Sequence, residues 1–322
     1  MPLHTLRHLL KIGLQLVTAF LALAALGHSS DHGRLTEEFH HTYPFTTNGR
    51  VSLANVNGAV HITAWDRNEV KVDAIKRANT KQRLDEAKIR IEPGKDHISI
   101  RTEYPDHDLT FDNHSSDNPA SVEYTLFVPR SASLDKVELV NGPLVIDGVA
   151  GSTDAYCVNG SLTAKGLQGR AQLSTVNSRV AAQFDKLNRA PIQLDSVNGS
   201  VLLTLPSDSQ ADIEASTVSG RISNDFGIAV RDQEYVGHDL HARLGAGGTK
   251  IRLENVNGRI EVHHSNDSRR ISQVSDLKQS EKYASNDDDR NENGLSDNDK
   301  DNDNDNDNDN DNDNDNGSAD MD

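Results

Sequence analysis

The chain has little of what usually builds large cores or staples small domains. It has one cysteine, Cys157, so no intramolecular disulfide can form. Aromatic residues make up 4% of it, and Trp65 is its single tryptophan. A core built on large rings is thereby excluded, and a narrow one filled by Val, Leu, Ile and Ala is expected. Positive charge is also scarce, with 33 Lys and Arg against 50 acidic residues. No basic stripe with interleaved aromatics occurs, which argues against a nucleic-acid partner. The apolar run Ile12 to Leu26 falls short of the roughly 20 residues that cross a bilayer.

That run reads instead as part of an export signal over residues 1–27. Arg7 and Lys11 precede it, and Ala25-Leu26-Gly27 places small residues at a cleavage point. No cysteine lies nearby, so a lipid anchor is not expected. The reading predicts an exported protein, periplasmic, cell-surface or secreted, with no stable membrane span after cleavage.

What the chain does have is a recurring tripeptide. Val56-Asn57-Gly58 returns as Val140-Asn141-Gly142, Val158-Asn159-Gly160, Val197-Asn198-Gly199 and Val256-Asn257-Gly258. Val176-Asn177-Ser178 and Val218-Ser219-Gly220 are degraded copies, and Val236-Gly237 is a weaker one. From Val140 the steps run 18, 18, 21 and 21 residues, then 38 to Val256. A period near 20 marks a repeat architecture. Alternating apolar residues flank each copy, for example Val137 and Leu139 before and Leu144 and Ile146 after. Such alternation predicts strands with one face buried, and Asn-Gly predicts a tight corner between them at positive φ. The corner set is Asn57, Gly58, Asn141, Gly142, Asn159, Gly160, Asn177, Asn198, Gly199, Gly220, Asn257 and Gly258. Asn159-Gly160-Ser161 and Asn198-Gly199-Ser200 also match a glycosylation sequon, but the repeat corner accounts for them.

Two all-β folds fit. One is a single-stranded parallel β-solenoid with 18–21-residue coils, in which the repeated asparagines form a corner ladder, each amide bonding to the next coil's backbone. The other is an antiparallel β-meander or sandwich, because Asn-Gly is also a strong hairpin signal. The near-constant spacing favours the solenoid. The pattern Val-Asn-Gly-x-apolar-x-apolar resembles the bacterial putative-adhesin β-strand-repeat family, a domain of unknown function. Ile62 to Asp66 with Val70 to Val72, and Val122 to Pro129, fit that family's layout as well. The resemblance covers about Phe45 to Val262 and implies a fold; it assigns no functional residue.

The remaining segments are expected as follows. Residues 28–44, with His28, His32, His40 and His41, read as a flexible polar leader. Residues 45–262 form the repeat domain. Within it Thr80 to Ala87 is the one helix, capped by Thr80, and Tyr104 to Pro119 is a surface loop. Cys157 is expected as a small core residue and Trp65 at a corner of the core. Residues 263–286 are a polar linker. Residues 287–322 form an acidic tail, with 16 acidic and two basic residues, that holds most of the net charge of −17 and is expected to be disordered. At its start Asp289, Asn291, Asn293, Leu295 and Asp297, with Gly294 at the turn, match the first part of an EF-hand-type loop. The loop is similar to one thrombospondin-type-3 calcium repeat. Lys300 stands where the bidentate Glu belongs, so weak calcium binding is expected there and no other cofactor.

No catalytic cluster is legible. The expected function is a non-enzymatic envelope or cell-surface protein that presents its β-repeats to an envelope protein or a surface polysaccharide. Involvement in envelope signalling is one form of that reading. A polysaccharide-acting enzyme on the same scaffold is the alternative, with Asp195, Asp212 and Glu214 as outward acids on neighbouring coils. A purely structural spacer is the third.

Overall fold

The computed structural model describes residues 34–105, 119–232 and 237–277. The export signal, the first part of the leader, most of the loop after Tyr104, the calcium-type loop and the acidic tail lie outside the described residues.

Seven strands and a helix come first: β1 (Leu35–Pro44), β2 (Arg50–Asn57), β3 (Val60–Trp65), β4 (Glu69–Ala78), α1 (Lys81–Glu86), β5 (Lys88–Pro93), β6 (His97–Glu103) and β7 (Ser121–Pro129). The repeats give β8 (Ser133–Asn141), β9 (Leu144–Asp147), β10 (Thr153–Asn159), β11 (Leu162–Leu167), β12 (Ala171–Thr175), β13 (Val180–Phe184), β14 (Ile192–Asn198) and β15 (Val201–Leu205). They continue as β16 (Ala211–Ser219) and β17 (Ile222–Asn224). Then follow β18 (Arg231–Asp232), β19 (His238–Leu244), β20 (Thr249–Asn257), β21 (Ile260–His264) and β22 (Val274–Asp276).

The strands form two large mixed sheets, so the chain is all-β with the face-to-face sheets of a sandwich. The ten-stranded sheet runs β1-β4-β7-β3-β9-β11-β13-β15-β21-β17. The twelve-stranded sheet runs β18-β19-β16-β20-β14-β12-β10-β8-β2-β6-β5, with β22 beside β19. The antiparallel meander is overturned for the repeats. The two strands around each Asn-Gly lie in different sheets, and each pairs in parallel with its equivalents, as β8 with β10 and β9 with β11. Alternate residues of both sheets point inward and build one core, with Leu139, Leu144, Leu173, Leu194 and Val201 fully buried. Antiparallel strands occur at both ends of the sheets: β1 and β7 against β4, β5 against β6, and β19 against β16.

The repeats do not lie in chain order: β20 and β21 insert between β14–β15 and β16–β17. Three expectations are corrected. Gly237 directly precedes β19, which runs antiparallel to β16 in the same sheet, so it does not stand at a corner between the two sheets. Residues 35–44 of the expected flexible leader form β1, paired along its whole length with β4. The expected linker likewise contributes β22. The helix lies where expected: the Thr80 hydroxyl accepts from the Arg83 amide at 3.3 Å, and Leu84 is buried.

The corners are held by two sets of side chains. On the outside the asparagines bond to each other, side chain to side chain, rather than to the next backbone. Asn141 donates to Asn57 at 2.8 Å, Asn159 to Asn141 at 3.0 Å, and Asn177 to Asn159 at 2.9 Å. Asn198 donates to Asn177 at 3.2 Å and Asn257 to Asn198 at 2.9 Å. On the inside a small polar side chain two residues before the ladder position reaches a corner carbonyl. Asn255 donates to the Gly199 carbonyl at 2.8 Å, Ser196 to that of Ser178 at 3.1 Å, and Thr217 to that of Gly258 at 3.3 Å. Cys157 occupies the same inward position, with Sγ 3.6 Å from the Gly142 carbonyl, and burial pushes its thiol up to about 12.

Positive φ is the rule at only part of the corner set. Gly258 has φ 141°, whereas Gly199 is outside the left-handed region. What both require is room. A Cβ on Gly199 would overlap the Ser178 carbonyl oxygen, and one on Gly258 would overlap that of Gly199. Gly199→Val is therefore expected to cost about 1–3 kcal/mol by overpacking, although no backbone strain is relieved by glycine there. Ser200→Ala, one residue on, should stay within about 0.5 kcal/mol. Asn177→Ala removes two ladder bonds and should cost about 1 kcal/mol. Urea unfolding of the three variants measures all of these; equal losses at Gly199 and Ser200 would contradict the close-approach account.

Candidate functional site

The outer face of the twelve-stranded sheet is ruled into rows by the register of its parallel strands. One row is the amide ladder. The next is the marker valine itself, which points outward: Val158 is buried, and Val56, Val140, Val176, Val197 and Val256 are half-buried. A stripe of β-branched side chains thus crosses the face. Two residues before it stands a polar row in continuous register: Glu138, Tyr156, Ser174, Asp195, Glu254, Ser216 and Asp239.

Within that row Asp195 and Glu254 face each other on β14 and β20, and each is only 3% exposed. Gln193 donates to Asp195 Oδ2 at 2.9 Å, and Arg252 pairs with Glu254 Oε1. Asp195 Oδ1 and Glu254 Oε2 have no hydrogen-bond partner among the described residues. Burial, and then the negative charge of Glu254, push the Asp195 carboxyl up to about 7, against smaller opposing effects of Gln193 and Arg252. The pair is missed by sequence reasoning because its partners are far apart in the chain and become neighbours only through the inserted strand. The available signal was the alignment of the copies Val197 and Val256, which puts Asp195 and Glu254 at the same place in their repeats.

The acids nominated by sequence do not converge. Asp195 lies on β14 and Asp212 and Glu214 on β16, with β20 between them, so they are not on adjacent strands. Asp212 Oδ1 accepts from Arg243 Nε at 2.6 Å, and Glu214 is flanked in register by Arg252 and His241. His40 is held by Asp73 at 2.8 Å and Glu38 at 3.2 Å, and these bonds raise its pKa. Among the described residues no group of three or more His, Cys, Asp or Glu is arranged to hold a metal. Trp65 packs on Phe127, with ring centroids 5.3 Å apart, and donates to the Glu69 carbonyl at 2.8 Å. The concavities are open grooves, one beside α1 lined by Gln82, Glu86, Arg90 and Tyr104, another lined by Arg221, His238, Arg259 and Glu261. No helix among the described residues is long and apolar enough to cross a membrane.

No family model matches the chain, and no curated protein matches it. Solved structures give distant likenesses. A putative cell adhesion protein from Clostridium sporogenes is 14% identical, with a TM-score of 0.45, over 72% of this chain and 100% of its own. A putative adhesin from Bacteroides fragilis is 10% identical, with a TM-score of 0.29, over 71% of this chain and 97% of its own. A putative lipid binding protein from Parabacteroides distasonis is 9% identical, with a TM-score of 0.27, over the same shares. Likenesses this distant assign no activity, and the functional reading rests on the chain's own geometry.

The Asp195–Glu254 pair sets a pH dependence of stability. The folded state holds the Asp195 proton between its ordinary value near 4 and about 7, where the unfolded chain has released it. The stabilisation is therefore complete below about pH 4 and is lost as pH rises through 7. Asp195→Asn should flatten the stability profile between pH 4 and 8 relative to the wild type. Denaturant titrations of both proteins across that range check this; parallel profiles would mean that Asp195 is ionised at neutral pH.

Proposed function

We propose that the chain is an exported, non-enzymatic protein of the cell envelope or surface that presents the outer face of its twelve-stranded sheet to a protein or polysaccharide partner. Its parallel section is best read as a flattened solenoid, each 18–21-residue coil giving one strand to each sheet. The observation that carries the reading is the outer face itself. Five half-buried valines, flanked by a bonded amide ladder and a polar row, make a long, regular, mixed surface of the kind that repeat proteins use for extended contacts. Apolar contact along the valines and hydrogen bonding by the amide edge would serve a glycan or an extended protein segment equally well.

The enzyme alternative draws no support from the site. Of its three nominated acids, Asp195 is separated from Asp212 and Glu214 by β20, and the latter two are flanked by basic side chains. The immobilised protein should retain an envelope protein or a defined polysaccharide from a panel. Val176→Lys, in the middle of the stripe, should reduce that retention at least tenfold while the circular dichroism spectrum stays strand-dominated. Retention indifferent to Val176→Lys would move the contact to another face, and no retention at any ionic strength would leave the spacer reading.

A further inference from the structure

The ten-stranded sheet ends at β1, and this edge has unusual features. Edge strands are normally shortened, bulged, or marked with lysine or proline, because their free amides and carbonyls template a further strand. β1 is ten residues long and pairs with β4 at every position without a register shift. It carries no Lys or Arg, and its only proline is the last residue, Pro44. Among the described residues nothing pairs with its other side.

The sequence of β1 is a mirror about Phe39. Outward from Phe39 stand Glu38 and His40, Glu37 and His41, Thr36 and Thr42, then Leu35 and Tyr43. Every acid is matched by a histidine, threonine by threonine, and apolar residue by apolar residue. In an antiparallel pair of identical strands about a two-fold axis perpendicular to the sheet, one residue faces its own copy, and residues equally far on either side face each other on the same face of the sheet. Centring the axis on Phe39 places Glu38 opposite His40 of the second copy and Glu37 opposite its His41. Centring on Glu38 or His40 instead sets like groups face to face, Glu38 on itself or His40 on itself.

We infer that β1 is a self-association strand: a second copy of this chain adds antiparallel to it, with the two-fold at Phe39, joining the two ten-stranded sheets edge to edge. The side chains are placed for this. Glu37, Phe39, His41 and Tyr43 share a face with the buried Lys76, Ala74, Val72 and Val70 of β4, and Glu38 and His40 lie on the other face. Both faces of the junction therefore receive Glu–His pairs. Phe39 is partly buried against the core and borders an open groove whose walls are mostly charged, Lys76, Asp85, Lys88 and Arg90 among them, so its ring is the apolar centre of a polar edge. A cross-strand aromatic pair and cross-strand acid–histidine pairs both favour such a register.

The test uses two variants of the full chain and their mixture, followed by sedimentation velocity. Glu37→Lys with Glu38→Lys sets lysine against histidine; His40→Glu with His41→Glu sets glutamate against glutamate. The wild type should dimerise reversibly, and each variant alone should dimerise at least tenfold more weakly. The equimolar mixture should recover dimers, because lysines of one variant then face glutamates of the other. Phe39→Cys gives an independent readout: the residue faces its own copy, so oxidation should give a disulfide-linked dimer, and Thr42→Cys should not. Cys157 is buried and does not compete. A monomeric wild type at high concentration, variants that dimerise like the wild type, or cross-linking at Thr42→Cys as readily as at Phe39→Cys would each overturn the inference.

Discussion

The close approach of backbone at the corners governs the rest of the architecture. Parallel strands stack about 4.8 Å apart, and at each corner the chain must turn from one sheet to the other within that same spacing. No Cβ fits between Gly199 and Ser178, or between Gly258 and Gly199, because a carbonyl oxygen occupies the position. Glycine therefore recurs for lack of space more than for left-handed backbone. The same constraint creates a second need. A carbonyl turned into the interior must be given a donor, and the inward side chains of Ser196, Thr217 and Asn255 supply it. Narrow core, small residues and repeated corners are thus one solution to one spacing.

The outer face follows from the inner one. Once inward positions alternate with outward ones at period two, the marker valine and the row two residues before it must share the solvent side. Equivalent residues then fall in line across the sheet, which turns a one-dimensional repeat into two-dimensional rows. Asp195 and Glu254 show what such rows can do. Neither carboxylate is unusual in its own strand, yet their alignment across β14 and β20 buries a pair of acids with one free oxygen each.

The all-β class, the strands around each tripeptide and the capped helix were legible in the sequence, because each rests on local periodicity or local hydrogen bonding. The asparagine positions were legible too, though not the side-chain partners that they choose. What could not be read depends on non-local order. Nothing near Val256 announces that its strands sit beside those of Val197, since every repeat offers the same backbone edge to a neighbour. The 38-residue step after Val218 was the one trace of the detour. β1 was hidden for a different reason. Its acids and histidines lower the apparent strand signal, and a polar leader was the expectation; its mirror symmetry has meaning only once the segment is known to be a sheet edge.

One repeat stands out of order in the two sheets. Sheets whose spatial order matched their chain order could grow like a zip, each strand pair docking on the one before. Here β16 pairs with β19 and β20, and β17 with β21, so residues 249–264, further along the chain, occupy the slot between these strands and β14 and β15. The β20–β21 repeat acts as a keystone, because it pairs with β14 and β15 on one side and with β16 and β17 on the other. The slot beside β14 and β15 is filled by strands that follow β16 to β19 in the chain, so the spatial order of the repeats departs there from the order in which they are made.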